Sequence, residues 1–191
     1  MLKIILMSDP KEEYKSYSSA PIDFVQDATA DLEKVKISLR WEEYNSFDDK
    51  YEKSGFCHQN GGYWLSHPGH HFDGVKGDYE RDVARILYLA GYKVILDDEH
   101  MGYGIRAVDG KLDNMLFEIS TIESAGEYTI QNHLSKSHKK GAEIAVIYFP
   151  NNKLFSFEKL TKSHNRYRAP KNSDRMRLWY IVNGEIHHLK Y

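Results

Sequence analysis

Two segments with helical hydrophobic spacing, each followed by a glycine, enclose a run of short strand-like segments in the middle of the chain. Asp78 to Ala90 carries apolar residues on one face and charged residues on the other, and Gly91 ends it. A second helix is predicted from about Glu127 to Lys140, with Gly141 as its stop. Strand patterns lie between and after these helices. This order predicts an α+β fold.

The strand patterns predict one sheet. Asn114 to Ser120 reads as a strand, Asp109-Gly110 just before it reads as a tight turn, and Glu143 to Phe149 is apolar on both faces and is therefore expected at the sheet centre. Asn183-Gly184, between Arg177–Val182 and a second strand from Glu185, is typical of a two-residue hairpin. We expect a mostly antiparallel sheet of about four to six strands, packed by the two main helices, with a C-terminal hairpin.

The first 60 residues differ from the rest in pattern. They predict a strand at Lys3–Met7, a helix at Asp23–Val35 and a polar loop from about Asn45. We therefore predict an N-terminal extension over residues 1–60 and a main domain over residues 61–191.

The chain has one cysteine, no apolar run near the roughly 20 residues of a membrane helix and no signal-peptide pattern. We expect a cytoplasmic protein with no membrane partner.

Charge is distributed unevenly along the chain. The formal net charge is −2, yet residues 126–191 hold 12 Lys and Arg against 5 Asp and Glu. Such polarity predicts a surface that receives a polyanion, although basic and acidic parts can also simply complement each other within one fold. Arg and Lys can position phosphates, and aromatic rings can stack on bases. The candidate nucleic-acid-binding residues are Lys136, Lys139, Lys140, Arg166, Arg168, Arg177 and Trp179.

The clearest candidate for a catalytic cluster consists of Asp113, Glu118 and Ser120. Glu118 and Ser120 lie on one face of the predicted strand, and Asp113 immediately precedes it. Together with Glu80, these acids resemble the PD-(D/E)XK nuclease pattern. In that pattern a helix acid, an Asp before a strand and a Glu-x-Lys on the strand hold a metal ion and activate water. Ser120 stands where that pattern has its lysine.

The longer stretch from Gly61 to Phe149 has a further resemblance. It combines the amphipathic helix, the acidic segment Asp97-Asp98-Glu99, the strand Phe117-Glu118-Ile119-Ser120 and the lysine-rich helix. This run resembles the C-terminal toxin domains of CdiA-type contact-dependent inhibition proteins and related domains of phages and conjugative elements. Those domains are placed in the barnase, EndoU, colicin and RelE-like (BECR) ribonuclease superfamily, which usually has Glu-Ile-Lys at the strand.

The resemblance implies a metal-independent, tRNA-nuclease-type enzyme without a cofactor. A base would take the proton from a ribose 2′-hydroxyl, which then attacks the adjacent phosphate. It also implies RNA, including tRNA, as substrate, an immunity protein among the partners, and delivery to target cells. Two alternatives stay open: a Mg²⁺-dependent PD-(D/E)XK-like nuclease that binds the metal through Glu80, Asp113 and Glu118, and an inactive module that binds nucleic acid or protein. The candidate catalytic residues are Glu118, Ser120, His67, His138 and His187.

Overall fold

One mixed sheet organises the chain, as seen in a computed structural model that describes residues 22–98, 107–167 and 176–189, with residues 22–28 as backbone only. Four α-helices accompany eight strands in the described residues. Their bounds are α1 (Ile22–Ser46), β1 (Glu52–Phe56), β2 (Tyr63–Ser66), α2 (Gly74–Leu89), β3 (Lys93–Leu96), β4 (Gly110–Leu112), β5 (Met115–Thr121), α3 (Thr129–Lys139), β6 (Ile144–Phe149), a 3-10 helix (Asn152–Leu154), α4 (Phe157–Arg166), β7 (Arg177–Val182) and β8 (Glu185–His188).

The strands lie in the sheet in their chain order, from β1 to β8. Three neighbouring pairs are parallel, namely β2 with β3, β5 with β6 and β6 with β7, and the other four are antiparallel. Parallel neighbours need a crossover connection, and α2, α3 and α4 supply these three. The α+β prediction is confirmed, whereas the sheet has eight strands instead of four to six and is mixed.

The helices bury both faces of the sheet. Leu87 of α2 packs with Phe117 and Ile119 in one cluster, while Leu134 of α3 and Leu160 of α4 belong to the cluster on the other side. Residues of β6 contribute to both clusters, which confirms its predicted central position. Side chains alternate along a strand. Glu118, between Phe117 and Ile119, therefore points towards the α3 side of the sheet, and so does Ser120.

Two tight turns are formed by pairs of residues with positive φ. Asn183-Gly184 joins β7 to β8 as predicted, with φ of 54° and 76°, and pairs Trp179 with His188. The prediction of a turn at Asp109-Gly110 is wrong, because Gly110 begins β4 and pairs with Phe117. The turn between β4 and β5 is Asp113-Asn114, with φ of 48° and 71°.

The N-terminal part of the described chain contributes to the same sheet. The helix predicted at Asp23–Val35 continues to Ser46 as α1, and part of the predicted polar loop forms β1, which pairs antiparallel with β2. The strand predicted at Lys3–Met7 lies outside the described residues. The domain boundary at residue 60 stays a prediction. Among the described helices, none is both long enough and apolar enough to cross a membrane.

Candidate active site

A buried cluster of opposite charges joins β4, β5 and the end of α3. Lys140 Nζ lies 2.5 Å from Glu118 Oε1 and 3.9 Å from Asp109 Oδ1. The side chains of Lys140 and Glu118 are only 18% and 8% exposed. Asp109 is held by the neighbouring strand, since its Oδ2 accepts a hydrogen bond of 2.6 Å from the backbone N–H of Ile119. One ammonium group therefore serves two buried carboxylates.

Local structure places Lys140 at this point. It is the C-terminal cap of α3, and Gly141 follows with φ of 84°, a left-handed conformation that lets the chain leave the helix. The chain then enters β6, whose Ala145 pairs with Glu118. The end of α3 is consequently held close to the middle of β5, and a lysine there reaches the acid on the α3 face.

Burial opposes the ionisation of both carboxyl groups. It raises the pKa of Glu118, which the hydrogen bond and positive charge of Lys140 partly lower again. Burial, followed by the negative charge of Glu118, raises the pKa of Asp109 to about 7. Glu118 Oε2 is buried and has no hydrogen-bond partner in the described part of the chain. An unsatisfied buried acceptor costs about 1–3 kcal/mol, so a proton or a cation at this oxygen would be stabilising.

A third acid reaches the cluster from α2. Glu80 is buried, with its carboxylate 3.5 Å from Lys76 Nζ and 3.5 Å from His70 Nε2. Its negative charge contributes to the raised pKa of Asp109. The structure thus brings the predicted helix acid Glu80 into the electrostatic neighbourhood of Asp109, which lies beside Glu118.

A cavity of about 240 Å³ opens beside Glu118. Ser120 lies on its wall, together with His133 and Lys136 of α3 and Lys76 of α2. Burial lowers the pKa of His133, and the positive charges of Lys136 and Lys76 lower it further. The imidazole is therefore neutral at neutral pH and can accept a proton. Two acids, Glu118 and Glu123, share one cavity with a neutral imidazole and two ammonium groups.

Asp113 is not part of this site. It lies in the β4–β5 turn, at the far end of that hairpin from Asp109. Its Oδ1 accepts a hydrogen bond of 2.9 Å from the backbone N–H of Lys93 and lies 3.9 Å from Arg40. The expectation that Asp113 would join Glu118 at a metal is therefore corrected: Asp109, at the opposite end of β4, is the aspartate beside Glu118.

The three histidines proposed from the sequence lie on separate parts of the fold. His67 follows β2, where its Nδ1 is 3.8 Å from Asp98. His138 contacts the ring of Tyr167 and lines a depression with Arg177. His187 stacks on Tyr180 in the C-terminal hairpin. None of the three lines the cavity beside Glu118, so the structure does not bring them together with the acid.

The cationic candidates are also dispersed. Lys136 lines the cavity and Lys139 is exposed, whereas Lys140 is largely buried in its ion pairs. Trp179 is buried between the rings of Tyr92 and His188 and presents no open face to a base. Arg166 on α4 and the exposed Arg177 on β7 lie elsewhere, and Arg168 is outside the described residues.

Sequence reasoning overlooked Asp109, Lys76 and the imidazole of His133 as site residues. Asp109 was hidden by its glycine neighbour, which suggested a turn. His133 had one usable signal, because it lies on the same helical stripe as Lys136 and Lys140.

In the described residues, no group of three or more His, Cys, Asp or Glu side chains is arranged to hold a metal ion. Comparisons with known protein families, with curated proteins and with solved structures find no match to this chain.

Proposed function

We propose that this protein is a nuclease that cleaves phosphodiester bonds at the Glu118 cavity with the help of a divalent cation such as Mg²⁺. The observation that carries the proposal is the position of Lys140, which lies within 4 Å of both Asp109 and Glu118. The PD-(D/E)XK-like pattern seen in the sequence needs a helix acid, an aspartate, a strand glutamate and a lysine. Glu80, Asp109 and Glu118 match the acids, and Lys140 takes the part of the lysine absent at Ser120.

The donor atoms suit a hard cation. Asp109 and Glu118 offer carboxylate oxygens, and Glu118 Oε2 lacks a partner in the described chain. Mg²⁺ is usually held by one or two carboxylates together with waters and substrate phosphates, so two acids suffice. Such a cation also offsets the repulsion between two buried carboxylates. When bound, it supplies an activated water and stabilises negative charge on the phosphate.

The chain's own residues contribute the remaining chemistry. Lys140 holds Glu118 in place, and its ammonium adds positive charge at that carboxylate, which favours the negative charge that builds up in the transition state. Lys76 and Lys136 attract the phosphates into the cavity. Neutral His133 is available to accept a proton at its ring nitrogen. Ser120 can donate a hydrogen bond from the same strand face.

Cleavage assays with labelled RNA, tRNA and DNA test the proposal directly. We expect cleavage that needs Mg²⁺ and stops with EDTA. Glu118→Gln should reduce the rate by about 10²–10³-fold, as for other groups that stabilise the transition state. Glu123→Gln is a matched control, because Glu123 is exposed on the wall of the same cavity. Equal activity of the two variants, or no cleavage of any substrate by the wild-type protein, would refute the proposal.

A metal-independent ribonuclease is the second candidate, and the neutral His133 beside Glu118 favours it. In such an enzyme, one of the two groups would take the proton from the attacking 2′-hydroxyl and the other would give a proton to the leaving oxygen, without a cation. This enzyme would leave DNA intact, tolerate EDTA and release a 2′,3′-cyclic phosphate. Those three readouts separate the two candidates. An immunity protein stays a prediction from the resemblance.

A further inference from the structure

A second surface begins where the Glu118 cavity ends. Ser124, in the segment between β5 and α3, and Thr129, the first residue of α3, belong to the cavity wall. The residues between them, Ala125 and Glu127, line a separate depression of about 300 Å³ whose opposite wall is α4. The two concavities are therefore neighbours across a single short segment of chain. We call the second one the α4 groove.

The α4 wall of this groove carries more positive than negative charge. Lys159, Lys162 and Arg166 line it at three- and four-residue intervals that place them on one side of the helix, together with the acidic Glu158. Arg166 is positioned by Glu127, with 3.4 Å between Nη1 and Oε1. Lys162 and Arg166 also line a shallower adjoining depression. The cations thus form a line along α4, on the wall that faces the segment separating the two concavities.

Two exposed aromatic rings flank the line of cations. Tyr128 and Phe157 are each 54% exposed, unusual for rings of this size. The guanidinium of Arg166 lies 5.8 Å from the centre of the Tyr128 ring, and Phe157 lines the depression that shares Lys162 and Arg166. Exposed rings beside a row of cations match the chemistry of a nucleic-acid strand, whose bases can stack on the rings while its phosphates contact the cations.

We propose that the α4 groove binds a single-stranded segment of the polynucleotide whose phosphodiester is cleaved in the Glu118 cavity. A duplex would not fit this chemistry, because its bases are stacked on each other and cannot stack on Tyr128 or Phe157. An acidic peptide would satisfy the lysines and leave both rings unused. The proposal deepens the proposed function and rests on it for the identity of the strand as the polynucleotide that is cleaved. Binding in the groove does not itself require cleavage.

Fluorescence anisotropy with a labelled 12-nucleotide strand tests the groove separately from catalysis. The protein is used as Glu118→Gln and as wild type in EDTA, with single-stranded RNA, single-stranded DNA and a duplex as probes. We expect single strands to bind at least about 10-fold more tightly than the duplex. Tyr128→Ala and Phe157→Ala should each weaken single-strand binding about 5- to 100-fold, and Tyr128→Phe should restore it. The RNA and DNA arms show whether the sugar matters.

Charge variants add an independent readout. Lys162→Ala should lower the slope of log affinity against log salt by about 0.7, the change expected when the protein neutralises one phosphate fewer on a single strand. Lys153→Ala, an exposed lysine on the 3-10 helix outside the groove, should leave the slope unchanged. If the wild type cleaves but the Tyr128, Phe157 and Lys162 variants bind normally, strand binding in the α4 groove is refuted while the nuclease proposal holds. If these variants lose binding while no substrate is cleaved, strand binding holds and the nuclease proposal is refuted.

Discussion

Replacing Lys140 by methionine removes the only charge compensation between Asp109 and Glu118 that the described residues supply at both acids. The pair distances are 2.5 and 3.9 Å, and the carboxylates are 8% and 9% exposed. Removing one partner of a buried ion pair costs about 3–5 kcal/mol because the other charge is left uncompensated. Lys140 is itself partly exposed, so we expect the lower end of that range, about 3 kcal/mol at pH 8.

The cost should depend on pH in a defined direction. Without the ammonium, the pKa values of Asp109 and Glu118 rise further above those of the unfolded chain. At pH 8 both carboxyl groups are ionised in the unfolded chain, whereas the folded variant must either keep them ionised without the ammonium or bind protons, and both cost free energy. Below the raised pKa values the folded state binds protons that the unfolded state has released, so stability returns as the pH falls. A tenfold difference in proton affinity between the folded and unfolded chains corresponds to about 1.4 kcal/mol. The stability lost in Lys140→Met should therefore be clearly smaller at pH 5.5 than at pH 8.

Urea denaturation followed by tryptophan fluorescence measures this effect. The matched control is Lys139→Met, which removes the same charge from the adjacent, exposed position. Surface substitutions of this kind usually change stability by less than about 0.5 kcal/mol, and the control should do so at both pH values. If Lys140→Met costs no more than Lys139→Met at pH 8, or if its cost is the same at pH 5.5, Lys140 does not bridge the buried acids.

Three further outcomes are expected. Asp109→Asn should flatten the pH dependence of the melting temperature between pH 4 and 7, because the folded pKa of about 7 lies above the unfolded value and Asp109 costs stability as the pH rises through that window. Gly62→Ala should lower the free energy of unfolding by about 2 kcal/mol or more in urea titrations, since the new Cβ would lie 1.9 Å from the carbonyl oxygen of Tyr88. Lys140→Met should also lower the cleavage rate, and adding Ser120→Lys should restore part of it because it returns an ammonium to the same face of β5; a double variant as inactive as Lys140→Met would contradict this.

Local rules were sufficient for much of the fold. The C-terminal hairpin follows from Asn183-Gly184, because a two-residue turn leaves one register in which Trp179 meets His188. The position of β6 follows from its apolar residues on both faces. Each of these features is decided by residues close together in the sequence, where hydrophobic period and turn chemistry act directly.

The β4–β5 hairpin shows where local rules are ambiguous. Asp109-Gly110 and Asp113-Asn114 are both typical turn pairs, and only one of them can turn in a hairpin this short. Pairing of Leu112 with Met115 selects the second pair, and the first is drawn into the sheet beside β3. That choice depends on the neighbouring strand, so the sequence alone assigned the site aspartate to the wrong position. The number of strands was underestimated for a similar reason, since β1 is a largely polar edge strand whose only strand neighbour in the described sheet is β2.

The lysine of the site is the clearest case of information that only the topology contains. The sequence pattern looked for a cation two residues after Glu118 and found Ser120. A parallel partner strand begins at the same end of the sheet as its neighbour, and the pairing of Ala145 with Glu118 brings the residues just before β6 close to the same row. The C-terminal end of any helix that crosses from β5 to β6 must therefore pass near Glu118. A positively charged residue is also favourable there because it faces the negative end of the helix dipole, so Lys140 satisfies the helix and the buried acid at once.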